Sequence, residues 1–209
     1  GGQVLYGAER KISDYTVFPL CKVVGTVTME GGSQELTGIG YGTRSWSELA
    51  IYEQARWTLA FRGISGDRTV YIRELSPGGE YDRTRVAYLL VTKGSQVLFE
   101  SFDYTFTPTE IFTDSKHENS YRVPENFTVV GKDAADAGRL MRGKFTKKRL
   151  RKRTDELTRM NAALRMVVRR FSKPVSYSYE TDFLVEVKHG EGVEQISGTG
   201  RYDMTHFNR

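Results

Sequence analysis

Val175-Ser176-Tyr177-Ser178-Tyr179-Glu180-Thr181-Asp182-Phe183-Leu184-Val185-Glu186-Val187-Lys188 is the stretch whose reading decides the fold. Val175, Tyr177, Tyr179, Phe183, Val185 and Val187 share one side, against Ser176, Ser178, Glu180, Asp182, Glu186 and Lys188 on the other. A period of two marks an extended strand with one buried face, because successive side chains point to opposite sides. The turn His189-Gly190-Glu191-Gly192 leads into a second long strand, Val193 to Phe207. The same period recurs at Ala55 to Arg62, where Ala55, Trp57, Leu59 and Phe61 oppose Arg56, Thr58 and Arg62. Further strands are expected at Val23 to Met29 and Gln34 to Tyr41, around the turn Glu30-Gly31-Gly32-Ser33. Gly66-Asp67 turns the chain into Thr69 to Leu75, and Ser76-Pro77-Gly78-Gly79 breaks it. Thr84 to Thr92 and Gln96 to Phe106 read as a hairpin around Lys93-Gly94-Ser95, followed by a strand over Tyr121 to Val130. So many antiparallel strands favour a barrel or a strongly bent sheet, since closure removes exposed edges. Residues 1–20 read as an irregular lead-in and 21–209 as one β domain.

Between Gly131 and Pro174 the pattern changes. Residues 133–143 read as a short helix or a loop. From Thr146 to Phe171 apolar residues fall at Leu150, Leu157, Met160, Leu164, Val167, Val168 and Phe171, and these spacings predict one helical face. Pro174 stops it. Residues 133–173 therefore read as a helical insertion before the last two strands, and the insertion is basic. From Arg139 to Lys173 there are fourteen Lys or Arg against Asp155 and Glu156 alone, in a chain of net charge +5. Lys147, Lys148, Arg149, Arg151, Lys152 and Arg153 put six positive charges in seven residues. The commonest reading of such a run is a solvated face, yet mutual repulsion makes that costly without a counter-surface. An anionic membrane supplies one, at about 1 kcal/mol per basic residue near it. An acidic protein supplies another, with nucleic acid the weaker reading.

Composition bounds the rest. The 209 residues, 38% hydrophobic and 12% aromatic, suffice for a real core and argue against global disorder. Twenty-one Gly and five Pro suit a twisted antiparallel sheet with tight turns. One cysteine, Cys21, excludes an internal disulfide and fits a reducing, intracellular compartment. No apolar run approaches the ~20 residues of a membrane-spanning helix. The chain opens Gly1-Gly2-Gln3 without Met, as a processed product or an excised fragment does.

His117, His189 and His206 lie far apart, and none pairs with Cys21 or a second His at ligand spacing, so neither a metal nor a cofactor is expected. No Gly-x-Ser-x-Gly elbow occurs. The glycines at 38, 40 and 42 open no helix and are not a dinucleotide loop. Glu100 shares a strand face with Leu98, Phe102, Tyr104 and Phe106. Facing inward, it would sit in an aromatic cavity with the raised pKa of a general acid; facing outward, it would do nothing of the kind. Trp46, Trp57, Phe61, Tyr88, Phe102, Tyr104, Tyr177 and Tyr179 either fill the core or line a pocket for an apolar ligand.

Gly38-Ile39-Gly40-Tyr41-Gly42-Thr43-Arg44-Ser45-Trp46 resembles the Gly-x-Gly-Tyr-x-Asp-His-x-Trp motif of lipocalin-like proteins related to AttH and hydroxyneurosporene synthase. Pro19-Leu20-Cys21-Lys22-Val23-Val24-Gly25-Thr26, Lys173-Pro174-Val175-Ser176-Tyr177-Ser178-Tyr179 and Gly198 to Phe207 are similar to the second domain of the fungal survival-factor-like branch. The resemblance implies an antiparallel lipocalin-like β-barrel with a helical excursion before the last two strands, and an apolar small molecule or lipid as ligand. It implies for some relatives a polyene hydratase or cyclase activity, and for the survival-factor branch an association with membranes. Hydratase-type relatives carry an Asp as proposed proton donor where this chain has Thr43, followed by Arg44 in place of His. Neither protonates an alkene at neutral pH. The expectation is therefore a non-catalytic ligand-binding domain whose basic segment meets an anionic surface. The rivals are a cyclase- or hydratase-like enzyme, and a scaffold docking a larger assembly.

Overall fold

A computed structural model describes residues 2–6, 11–49, 51–77, 85–189 and 192–207. Nine antiparallel strands form one curled sheet: β4 (Trp57–Ser65), β5 (Arg68–Ser76), β6 (Val86–Lys93), β7 (Gln96–Ser101), β8 (Tyr104–Thr113), β9 (Arg122–Lys132), β10 (Leu140–Asp155), β11 (Val175–His189) and β12 (Gly192–His206). Their order is β7-β6-β5-β4-β12-β11-β10-β9-β8, so the edge strands β7 and β8 do not pair. The barrel is open on that side. There the 133–139 loop ties the rims together, Ala134 N–H donating to the Glu100 carbonyl at 2.7 Å and Arg139 to the Leu98 carbonyl at 2.9 Å.

The alternation read from the sequence orders the core. Leu59 and Phe61 of β4, Tyr177, Tyr179, Phe183, Val185 and Val187 of β11, and Ile196, Tyr202 and Met204 of β12 line the concave face. Their side chains meet Ile72, Leu89, Phe99, Phe127, Val129 and Phe145 across it. Gly63 and Gly200 pair where the rings of Phe61 and Phe183 cross the sheet. A Cβ on Gly200 would lie 2.5 Å from the Arg62 carbonyl oxygen and 2.6 Å from the Phe61 ring. The backbone cannot yield, so Gly200→Ala lowers stability by about 1–3 kcal/mol in a thermal or urea melt. Gly25→Ala, where nothing lies within 4 Å, is the silent control.

Three expectations are corrected. The lead-in over 1–20 is not irregular: β1 (Gly2–Tyr6) and β2 (Lys11–Met29) lie there, and with β3 (Gly32–Ser47) they make a separate three-stranded sheet outside the barrel. Its link to the barrel includes the Tyr41 ring, with the Arg62 guanidinium 5.0 Å from its centroid. Gln96 to Phe106 is two strands, broken at Phe102-Asp103. Residues 133–139 form a loop, the second of the two readings given for that stretch. Most consequentially, the basic run is no helix, because Lys147 to Arg153 lie on β10, paired with β11. Among the described residues helix is confined to a short 3-10 turn (Glu156–Arg159), α1 (Ile51–Gln54) and α2 (Ala162–Val168), which Asn161 caps by accepting from Leu164 N–H at 2.9 Å. No described helix is long and apolar enough to cross a membrane. The breaks expected at Gly78-Gly79 and Gly190-Glu191 lie outside the described residues.

Candidate binding site on the concave face

Two β-bulges set the chemistry of β10. Lys147 faces Thr181, Arg149 faces Glu180, Leu150 faces Tyr179, Lys152 faces Ser178 and Arg153 faces Tyr177, with register shifts between 147 and 149 and between 150 and 152. Directly opposed residues of an antiparallel pair share a face. Lys147, Leu150 and Arg153 therefore share the concave side of Thr181, Tyr179 and Tyr177, while Arg149 and Lys152 face out. A regular strand would have turned Arg149 and Arg151 inward as well.

At the same place β9 and β10 part. Their ladder runs from Lys132↔Leu140 to Phe127↔Phe145 and goes no further. Side chains bridge the seam beyond it. Lys147 N–H donates to Asn126 Oδ1 at 2.7 Å, and the Lys147 ammonium pairs with Glu125. Arg153 Nε donates to Asp114 Oδ2 at 2.6 Å, and Tyr177 OH donates to the same oxygen at 2.5 Å. Lys116 N–H reaches Asp114 Oδ1 at 3.2 Å. Burial pushes the Asp114 carboxyl up, but the hydrogen bonds from Tyr177 and Arg153 outweigh it and hold the group below the usual carboxylate range. Burial, with Asp114 beside it, raises the Tyr177 phenol. Leu150, between the two bridges, is 45% exposed, so an apolar side chain lies open in the seam.

The loop that carries Asp114 is braced by a column of rings. Tyr121 stacks on His117 at 4.7 Å and on His206 at 4.5 Å between centroids, and its hydroxyl donates to the Lys173 carbonyl at 3.0 Å. Thus two histidines remote in sequence meet across one tyrosine, through a topology that sequence spacing does not reveal. Burial lowers His206 to about 4, against a hydrogen bond with the Arg122 backbone, so its imidazole is neutral at physiological pH. Among the described residues no cluster of three His, Cys, Asp or Glu could hold a metal.

Tyr179 OH faces the Glu125 carboxylate, and two buried polar atoms on this face have no hydrogen-bond partner among the described residues: Thr181 Oγ1 and His206 Nε2. Each such group costs about 1–3 kcal/mol unless something satisfies it. Burial and the Glu125 carboxylate raise the Tyr179 phenol, so it stays protonated and able to donate.

The residues expected to bind a ligand do not stay together. Phe61, Tyr104, Tyr177 and Tyr179 are buried, with Trp57 half-buried at the core margin. Tyr104 OH donates to Glu74 at 3.0 Å. Tyr88 stands outside the concave core, donating to Glu100 at 2.8 Å, with exposed Phe102 beside its ring at 5.5 Å. Glu100 itself alternates with buried Phe99 and Ser101, so it points away from the core and sits in no aromatic cavity. Trp46 lies on β3, 55% exposed and outside the barrel.

Nor do the six basic residues form one surface. Arg149 pairs with Glu180 at 2.7 Å, and Lys148 lies 3.5 Å from Glu180 and 3.9 Å from Asp182. With Lys147 on Glu125 and Arg153 on Asp114, the chain supplies its own counter-charges from neighbouring elements. Arg151 and Lys152 have no ion pair among the described residues.

No protein-family model matches the sequence, and no curated protein sequence does. Solved structures share the fold. An AttH-like protein of Nitrosomonas europaea is 16% identical over 97% of this chain and 54% of its own, with a TM-score of 0.57. CghA, solved with Sch210972, is 9% identical over 91% of this chain and 53% of its own, at 0.60. Kievitone hydratase of Nectria haematococca is 15% identical over 98% of this chain and 56% of its own, at 0.52. The chain thus spans about half the length of each. At these identities the likeness is one of fold, a lipocalin-like antiparallel half-barrel.

Proposed function

We propose that the domain binds a largely apolar small molecule or lipid bearing a hydrogen-bonding group, admitted at the β9–β10 seam and held against the inner face of β11. The observation that carries this reading is the pair of unpartnered polar atoms, Thr181 Oγ1 and His206 Nε2, among aromatic side chains. Such an arrangement, apolar walls with a few fixed polar groups, is what a small-molecule site requires. Leu150 offers the entering molecule an apolar threshold. The flanking Lys147–Glu125 and Arg153–Asp114 bridges can open without breaking a backbone ladder. Support of a weaker kind comes from CghA, solved with Sch210972. The similarity of Lys173 to Tyr179 and Gly198 to Phe207 to the survival-factor-like branch supports, within the same proposal, a relationship to that branch.

A second reading is a hydratase- or cyclase-like enzyme. The neighbour named a kievitone hydratase favours it, as does the short Tyr177–Asp114 hydrogen bond. Asp114 is ionised at neutral pH and would serve there as a base, not as the acid that protonates an alkene. Binding is therefore the stronger reading.

The test is titration of the protein with 2-naphthol, an aromatic probe with one hydroxyl, followed by fluorescence. Saturable one-site binding is expected, weakened about fivefold to tenfold by Thr181→Val. The melting temperature of Thr181→Val should be unchanged or raised, because the substitution removes an unsatisfied buried group. Non-saturable binding, or equal affinity in the variant, would sink the proposal.

A further inference from the structure

The outer face of the same strands carries a second feature, independent of the concave site. Where the sheet turns towards the 3-10 segment, a depression of about 280 Å3 opens between β10, β11 and β12. Lys152 enters it from β10, Arg159 from the 3-10 turn and Arg201 from β12. Hydroxyls of Ser176, Ser178 and Thr205 lie along its floor, with Ser176 and Thr205 joined at 3.0 Å.

Glu156 and Asp203 also line it, two carboxylates against three cations. Asp203 is shared by two guanidiniums, Arg62 at 3.0 Å and Arg201 at 2.8 Å. Glu156 engages Arg159 at 3.2 Å. Lys152 has no carboxylate among the described residues. Three cations on three separate elements, with side-chain hydroxyls between them, suit a compact anion with several oxygens. A planar carboxylate offers only two oxygens to the three cations that line it.

We infer that this depression binds a phosphate group. Lys152 contributes an unpaired charge, Arg159 and Arg201 contribute donors left over from their own pairs, and the hydroxyls complete the oxygen contacts. Lys152 reaches it because its pairing with Ser178 sets it on the outer face of the sheet. The excess charge of the strand thereby acquires a use at one point, while most of it is neutralised internally.

The phosphate could belong to a soluble ester or to a lipid headgroup, and the experiment separates them. Inorganic phosphate is titrated into the intact protein by calorimetry, with Lys152→Gln, Arg159→Gln and Arg151→Gln as variants. Arg151 is equally unpaired but lines no part of the depression. One saturable site is expected, weakened about tenfold by Lys152→Gln and by Arg159→Gln and unmoved by Arg151→Gln. Equal losses in all three variants would mean diffuse charge attraction and overturn the inference, as would the absence of saturable binding. Unchanged thermal melts for Lys152→Gln confirm that the loss is one of binding, since the residue is exposed. In the second arm, sedimentation with phosphatidylcholine vesicles is compared with and without phosphatidic acid. Pelleting that needs phosphatidic acid and Lys152 assigns the phosphate to a lipid. Inorganic phosphate binding without pelleting assigns it to a soluble ester. Because no residue of the concave site is altered, 2-naphthol binding should persist in these variants, which keeps the two proposals separable.

Discussion

Phe127→Ala lowers the stability of the domain by about 3–5 kcal/mol, read as a shift of the urea midpoint at unchanged slope. Phe127 is fully buried. It stacks on Phe106 and on Phe145, each at 4.7 Å between centroids, and tilts against Tyr202 at 5.1 Å. These partners come from β8, β10 and β12, so one ring joins three strands on the concave side. It also occupies the last rung of the β9–β10 ladder, opposite Phe145. Removing it leaves a cavity where no backbone hydrogen bond beyond it can hold the strands together. Phe18→Ala is the comparison. That ring is 50% exposed, and its loss should change stability by about 0.5 kcal/mol or less. A small effect at Phe127 would mean that the seam is closed by something other than this aromatic stack.

Asp114→Ala costs about 3 kcal/mol, because it strands a buried phenol and half-buried guanidinium that both donate to one carboxylate oxygen. The cost sits at the low end for buried pairs, since Arg153 can turn partly to water. The pH dependence gives a signature that a mere packing defect would lack. The folded-state pKa of Asp114 is depressed below its ordinary value of 3.8. Its contribution is therefore complete above that unfolded value and is lost as pH falls through the folded one. Wild-type stability should decline below about pH 4 more steeply than that of Asp114→Asn, in urea melts taken at several pH values. Parallel declines would refute the assignment of Asp114 as the acid-sensitive carboxylate of the seam.

How much of this was legible in the sequence follows from which forces are local. The period of two over Val175 to Lys188 and over Ala55 to Arg62 placed the core faces directly, because the pleat alone fixes that alternation. Gly66 and Gly94, both at positive φ, marked their turns for an equally local reason. The basic run was misread because its apolar spacings and long basic side chains satisfy a helix as well as a strand. What settles it is non-local: Glu180 and Asp182 on β11, together with Glu125 and Asp114, supply carboxylates that no window around residue 150 contains. The bulges hid the rest, since they break the alternation that would have announced a strand. Of the candidate site, Tyr177 and Tyr179 could be named from the alternation. Asp114, Thr181 and His206 could not, because their importance lies in partners, or in missing partners, set by the curl of the sheet.

The two bulges of β10 also bear on how this chain can vary in length. Each places two residues opposite one on β11, so Lys148 and Arg151 are surplus to the ladder. Omitting either would restore regular pairing locally and leave Lys147, Leu150 and Arg153 facing Thr181, Tyr179 and Tyr177 as before. A residue dropped from the unbulged part of the strand, between Leu140 and Thr146, would instead turn every side chain on one flank of the gap to the opposite face. This segment is therefore slack in an otherwise tightly phased sheet. Insertions and deletions between 148 and 151 adjust charge and twist at the seam while the interior stays in frame.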